Sequence, residues 1–301
     1  MISYRHHPLV GTFVELQILD DIDDDTADEL DATMVAEMER LEHICSIFDP
    51  QSELSCWRRG DVEHPGTELT ELLALALDWQ RRTGGAFNTS SRVLTERWHQ
   101  AETDGAAPDL GDLGRLAQSI AEPRYCIENG VVERLGDLGA VDLNAIAKGW
   151  IVDRAVDRLH SEHPDFDVVI NAGGDLRHIG RDPITVGIEN PLRPYDNEPP
   201  LASIELRNGG LATSGGSQRG FTVGGVRHPH LIDPRTGNPT SRHASVTVIA
   251  PNAATADVLA TACSLLDEFD AFALCTQHEA GCVIVDNTGA PSWNDLGRPL
   301  T

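Results

Sequence analysis

Asp257 and Thr261 stand four residues apart in the run A-A-T-A-D-V-L-A-T, which reads as a helix. Residues at that spacing are neighbours on a helix surface. A carboxylate beside a hydroxyl is a pair of hard oxygen ligands, the kind Mg²⁺ takes. Upstream lies H-P-H-L-I-D-P-R-T-G, which carries the titratable His230 and ends in a Gly turn. Residues 245–250, between the two, read as a strand. Together they point to metal-assisted chemistry on a phosphate-bearing substrate.

Three further segments bear on that chemistry. Lys148 falls near the start of a helix expected after Asn144, where a cation is unfavourable. An anionic ligand at the helix start offsets that cost, whereas a lysine turned to solvent needs none. N-A-G-G-D-L (residues 171–176) follows a buried-type strand at 167–170. Its paired glycines let a ligand approach the backbone closely, or simply make a tight turn. S-G-G-S-Q-R-G (214–220) is polar and rich in N–H donors, as a phosphate cradle or a surface loop is.

The elements that must position these residues follow from periodicity. Residues 12–19 alternate as a strand. Residues 26–44 carry Leu30, Met34, Met38 and Leu41 at helical spacing, with Asp25 or Thr26 as N-cap. Ser52 suits the cap of a short turn. A second helix spans 67–83 and stops at Gly84-Gly85. Residues 84–98 lead into another helix, and a short one lies within 110–121. Asn129-Gly130 marks a hairpin between 124–127 and 131–135. A short strand is expected to end at Leu143, with Asn144 capping the helix that follows. Residues 204–206 and 211–213 are expected to pair around Asn208-Gly209-Gly210. Residues 282–285 read as the last strand.

The chain has 301 residues and is 40% hydrophobic, enough for one large domain with a sizeable core. We take residues 1–301 as a single domain of two closely packed lobes. A net charge of -25 argues against a nucleic-acid partner, which needs a basic face. It does not exclude an anionic ligand, because a bound metal inverts the local field. Six cysteines form no C-x-x-C pair and match no zinc or redox spacing; Cys45, Cys263 and Cys275 read as buried small hydrophobes. No apolar run is long enough to span a membrane and no signal peptide is visible, so the expected location is cytoplasmic. It becomes exported or membrane-anchored if a leader has been removed.

Taken in order, seven blocks make the chain resemble the ApbE-type flavin transferases, the FAD:protein FMN transferase family. They are V-G-T-F-V-E-L (10–16), F-D-P-Q-S-E-L-S (48–55), D-L-N-A-I-A-K-G-W-I-V-D (142–153), N-A-G-G-D-L (171–176), A-T-S-G-G (212–216), H-L-I-D-P-R-T-G (230–237) and A-D-V-L-A-T-A (256–262). The resemblance implies an α+β fold of T-fold-like architecture. Antiparallel or mixed sheets are flanked by helices, and a flavin cleft lies between the lobes. It implies Mg²⁺ held by Asp257, Thr261 and the main-chain carbonyl of Ala145. Lys148, Asn171, Gly173, Gly174, Asp175, Ser214 and Gly215 then bind FAD as substrate, and so does Asn88, which replaces the family's usual carboxylate. Ser217 stands where the family has tyrosine. His230 is the implied general base, acting with the Asp257-bound metal. The implied reaction transfers FMN from FAD to a Thr or Ser hydroxyl of an acceptor protein and releases AMP. Two other readings stand beside it: an FAD pyrophosphatase giving FMN and AMP, and a flavin-binding protein without turnover.

Overall fold

Alternating apolar residues build a central sheet, and Ala-rich helices lie on it closely enough to bring chemistry to its edge. The computed structural model describes residues 1–193, 198–215 and 220–300. Strands β1 (Ile2–Leu9) and β2 (Thr12–Ile18) open the chain as an antiparallel pair. The sequence reading catches β2 and misses β1. The outer strand is polar on alternate residues and carries two histidines, an arginine and Pro8, so its apolar signal is faint.

Helix α1 (Asp24–Cys45) buries Leu30, Met34, Met38 and Leu41, as their spacing requires. Its N-cap is Asp23, earlier than expected, whose side chain accepts from Thr26 N at 2.8 Å. Ser52 does cap, but it caps a full helix, α2 (Glu53–Arg59). Helices α3 (Thr67–Arg82), α4 (Arg92–Asp104) and α5 (Leu110–Ser119) follow, then the hairpin of β3 (Tyr125–Glu128) and β4 (Val131–Arg134) around Asn129-Gly130.

No strand ends at Leu143. A 3₁₀ turn over Leu138–Ala140 leads instead into α6 (Asn144–Glu162). Asn144 is the first residue of that helix rather than its cap: its N–H donates to Asp142 Oδ1 at 2.8 Å, so the aspartate satisfies the helix start. The chain continues through β5 (Val168–Ala172), β6 (Asp175–Ile179), β7 (Ile184–Ile188), β8 (Ala202–Leu206) and β9 (Gly210–Gly215).

The expected pairing of β8 with β9 does not form. Strand β8 pairs with β7 in a separate ribbon, and β9 joins the central sheet between β6 and β12. Asn208, at φ 45°, and the two glycines after it turn the chain from one sheet to the other. Strands β10 (Gly220–Val223) and β11 (Val226–Pro229) form a hairpin, followed by β12 (Ser245–Ala250), α7 (Ala253–Cys263) and α8 (Glu268–Gln277). Strand β13 (Gly281–Val285) is not the last, because β14 (Pro291–Trp293) folds back onto it.

The central sheet has the order β1-β2-β5-β6-β9-β12-β13-β14, with every neighbouring pair antiparallel. Its core is continuous with the buried faces of α1, α3, α6 and α7. Two glycines seat α7. A Cβ on Gly149 of α6 would stand 2.6 Å from Ala253 O, and one on Gly210 of β9 would stand 2.3 Å from Ala253 N. Backbone therefore meets backbone on both sides of the first turn of α7, where no other residue fits.

Candidate functional site

The cleft opens where α6 and α7 meet the ends of the central strands. Its volume is about 760 Å³, and its walls come from α6, the β5–β6 turn, β7, β9, the segment after β11 and α7.

The N-A-G-G-D segment is a two-residue hairpin turn. Ala172 pairs with Asp175, and Gly173 and Gly174 both take positive φ, at 59° and 100°. Asn171 Oδ1 accepts from Gly174 N at 3.0 Å and braces the turn from inside. Gly173 is also closed off by β2, since a Cβ there would lie 2.3 Å from Thr12 Oγ1. The glycine pair makes the tight turn that the sequence offers as one reading, and Gly173 and Gly174 line the cleft.

The turn delivers Asp175 to the floor of the cleft. Its side chain is 4% exposed and meets Lys148 Nζ at 3.0 Å. Lys148 does not point to solvent. Its ammonium also donates to Ala172 O at 3.2 Å, which ties α6 to the hairpin. Asp257, in the second turn of α7, lies within hydrogen-bonding reach of Asp175. Burial pushes both carboxyls above the usual carboxylate range, and the neighbouring Asp175 charge raises Asp257 further; the Lys148 ammonium pulls both back.

Asp257 Oδ2 is shut off from water without a hydrogen-bond partner, while Asp175 Oδ2 beside it is met only by the Lys148 ammonium, at 3.0 Å. Two carboxylates cannot face each other in that state without a proton or a cation between them. Thr261 adds its hydroxyl to the same wall from one turn further along α7. Buried, oxygen-only and underfilled, this donor set suits a hard divalent ion such as Mg²⁺.

Asp153, on α6, holds α7 at the right depth. Its carboxylate accepts from Ala253 N and Ala254 N, each at 2.8 Å, and Asn252 accepts from Thr255 N. Arg177 approaches Asp153 at 3.4 Å and donates to Pro251 O. The sequence reading gave Asp153 no role. Another signal passed over there is that Lys148 is the only lysine in the chain. A chain that uses arginine everywhere else has placed its single ε-amine in this cleft.

His230 follows directly after β11 and lines the cleft. The loop beyond it is braced. Asp233 accepts from Arg235 N, Nε and Nη2, and Arg235 also donates to Leu265 O, just past α7. Trp98 Nε1 donates to Gly237 O at 3.0 Å. Ser214 and Gly215 complete the wall with Ser245, whose buried Oγ has no partner. Ser245, Glu189 and Pro191 are cleft residues that the motifs did not single out.

Two expected residues are not brought into this group. Ala145 lies in the first turn of α6 with its side chain against the core, and it is not among the residues lining the cleft. Asn88 is buried elsewhere: its Nδ2 donates to Ile120 O and its Oδ1 accepts from Ser90 N. Gly216 and Ser217 lie outside the described residues.

The fold and cleft define an α+β protein with a lysine and two neighbouring buried carboxyls at the ends of the central strands of an antiparallel sheet. The model of the ApbE family matches residues 10–284. An FAD:protein FMN transferase of Haemophilus influenzae is 34% identical over 93% of this chain and 85% of its own length. One of Treponema pallidum is 31% identical over 66% of this chain, and the match spans 59% of that protein. The crystal structure of an ApbE protein from Thermotoga maritima superposes with a TM-score of 0.83 at 26% identity, covering 98% of this chain and 97% of that one. The chain belongs to the ApbE family. Among the described residues, no helix is long and apolar enough to cross a membrane.

Proposed function

We propose that this protein transfers the FMN part of FAD to a Thr or Ser hydroxyl of an acceptor protein and releases AMP. One observation carries the reading: Lys148, Asp175 and Asp257 converge on the floor of a cleft large enough for a dinucleotide. The names of the relatives support the same activity.

Asp257 and Thr261 would hold Mg²⁺, with Asp175 beside them on the cleft floor. When bound, the ion supplies charge neutralisation at the pyrophosphate and fixes its orientation. Lys148 places its charge beside the phosphates. The Gly173–Gly174 backbone admits the ligand closely, and Ser214, Gly215 and Ser245 offer polar groups along the opposite wall.

In the transfer, the acceptor oxygen bonds to the phosphorus of the FMN half. The bond from that phosphorus to the bridging oxygen breaks, and AMP leaves. The acceptor proton passes to His230, since a hydroxyl attacks poorly until a base accepts its proton.

The test is incubation of the full chain with FAD, Mg²⁺ and a Thr-bearing acceptor peptide, followed by mass spectrometry. The expected result is an acceptor heavier by FMN less water, with one AMP per transfer. AMP release at an equal rate without acceptor would replace this reading with FAD hydrolysis. Tight FAD binding with no AMP at all would leave a flavin-binding protein.

A further inference from the structure

Three of the six cysteines meet away from the cleft. Cys263 ends α7, Cys275 lies on α8 and Cys282 on β13, so three separate elements each contribute one thiol. All three residues are 0% exposed, and their sulfur atoms lie within 4.8 Å of one another. Cys263 Sγ and Cys275 Sγ are 3.4 Å apart.

Buried cysteines commonly pack as small hydrophobes, facing whatever is nearest. Packing alone gives no reason for three sulfur atoms to converge on one point. A shared ion does. Three thiolates around one ion at a metal–sulfur distance of about 2.3 Å hold their sulfurs roughly 4 Å apart, inside the 4.8 Å that encloses these three. The ion must be soft, because every donor is sulfur, and it must accept three ligands. No fourth histidine, cysteine or carboxylate joins the group among the described residues. Structural zinc takes four ligands, which disfavours zinc. Cu(I) is soft and selected by thiolates.

We propose that Cys263, Cys275 and Cys282 form a three-thiolate site for Cu(I), separate from the flavin cleft. Each thiol that ligates releases its proton to solvent, and no electron is transferred. Helix α8 has ten residues and few buried side chains, so its local opening gives the ion an entry route without unfolding the core. The occupied site ties the end of α7, two residues beyond Thr261, to α8 and β13.

The test uses the reduced full chain under nitrogen, with Cu(I) supplied as its bathocuproine disulfonate complex. The expected result is one Cu(I) withdrawn from the chelator per chain, a sulfur-only shell of three by X-ray absorption, and a higher melting temperature on loading. Cys275→Ala and, separately, Cys263→Ser lose that equivalent. Cys126→Ala and Asp257→Asn keep it, and excess Mg²⁺ does not displace it. Melting curves without copper establish that each variant is folded, and the absorption spectrum of the unaltered chain tests the ligand set independently of any variant. No copper withdrawn, copper retained by Cys275→Ala, a shell containing nitrogen or oxygen, or a Cys263–Cys275 disulfide in place of the ion would each overturn the site.

Discussion

Asp175, the first residue of β6, and Asp257, in the second turn of α7, lie buried within hydrogen-bonding reach of each other, and Asp257 Oδ2 has no hydrogen-bond partner. One comes from a hairpin turn and the other from a helix laid across the sheet, so the fold itself forces two carboxyls together. Lys148 supplies one positive charge against two potential negative ones. The remaining charge calls for a proton or a divalent ion. Asp257→Asn keeps the size of the side chain and removes its charge. It is expected to keep the fold, to weaken Mg²⁺ binding sharply, and to abolish transfer at low Mg²⁺. Calorimetric titration with Mg²⁺, set beside AMP release, checks this; full activity of the variant at low Mg²⁺ would remove Asp257 from the metal site.

Lys148 gives a second expectation. As the only ε-amine in the chain, it is the only lysine an amine-reactive acyl ester can modify. Its side chain is 29% exposed, so the reagent reaches it through the open cleft. FAD at saturation is expected to protect it, and free FMN to protect it less. Lys148→Met should bind FAD more weakly while keeping its melting temperature close to that of the parent. Peptide mapping after brief labelling reads the protection; equal labelling with and without FAD would place the dinucleotide elsewhere.

The site was legible in the sequence where one element carries two functional groups. Asp257 and Thr261 need only helical spacing to be read as a pair, and both line the cleft. The Asp175–Asp257 meeting was not legible as geometry, because it depends on α7 packing against α6, β6 and β9, elements that lie far from it in the chain. The false pairing of β8 with β9 has the same origin. A glycine turn between two apolar runs is the signal of a hairpin, and nothing local shows that the second run belongs to another sheet. Asp153 escaped notice because a capping residue on a different helix lies a hundred positions away from the N–H groups it satisfies.

Asp153 is open to a direct measurement of stability. Burial pushes its carboxyl up to about 6 from 3.8, against the opposing pull of the Ala254 and Ala253 N–H groups and of Arg177. A carboxyl raised on folding binds its proton more tightly in the folded chain than in the unfolded one. Its contribution to stability is therefore present on the acid side and is lost as pH rises between about 4 and 6. Asp153→Asn cannot titrate, so the parent-minus-variant difference in unfolding free energy should change in that direction across that window. At neutral pH the amide accepts only one of the two α7 N–H groups, which should cost roughly 1–2 kcal/mol. Urea unfolding of both proteins at several pH values checks the slope and the offset.

The acidity of the whole chain leads to an expectation about salt. With 48 acidic and 23 basic side chains, like charges crowd the surface. Self-repulsion of that kind weakens the compact state and is screened by added ions. The screening length falls from about 10 Å at 0.1 M salt to about 3 Å at 1 M. The melting temperature should therefore rise with KCl through this range. Scanning calorimetry across the series decides it: a flat or falling midpoint would mean that the surface ion pairs already balance the excess charge locally.

His230 carries the last expectation. It stands at the cleft wall immediately after β11, ahead of a loop fixed by the Asp233–Arg235 pair and by Trp98. A side chain held this way suits proton transfer, because catalytic groups concentrate on loops fixed to a rigid scaffold. If His230 takes the acceptor proton, His230→Asn should bind FAD and Mg²⁺ nearly as the parent does. Its single-turnover rate should fall by roughly 10²–10⁴-fold, the usual contribution of a positioned base. The parent rate should rise with pH as imidazole loses its proton, and the variant should lack that limb. The rival role is mechanical, with His230 bracing the loop and another group accepting the proton. A mechanical role predicts a lower melting temperature together with an unaltered pH profile. Single-turnover rates over pH 5–9, set beside melting curves, separate the two, and an unchanged rate and profile in the variant would place the base elsewhere in the cleft.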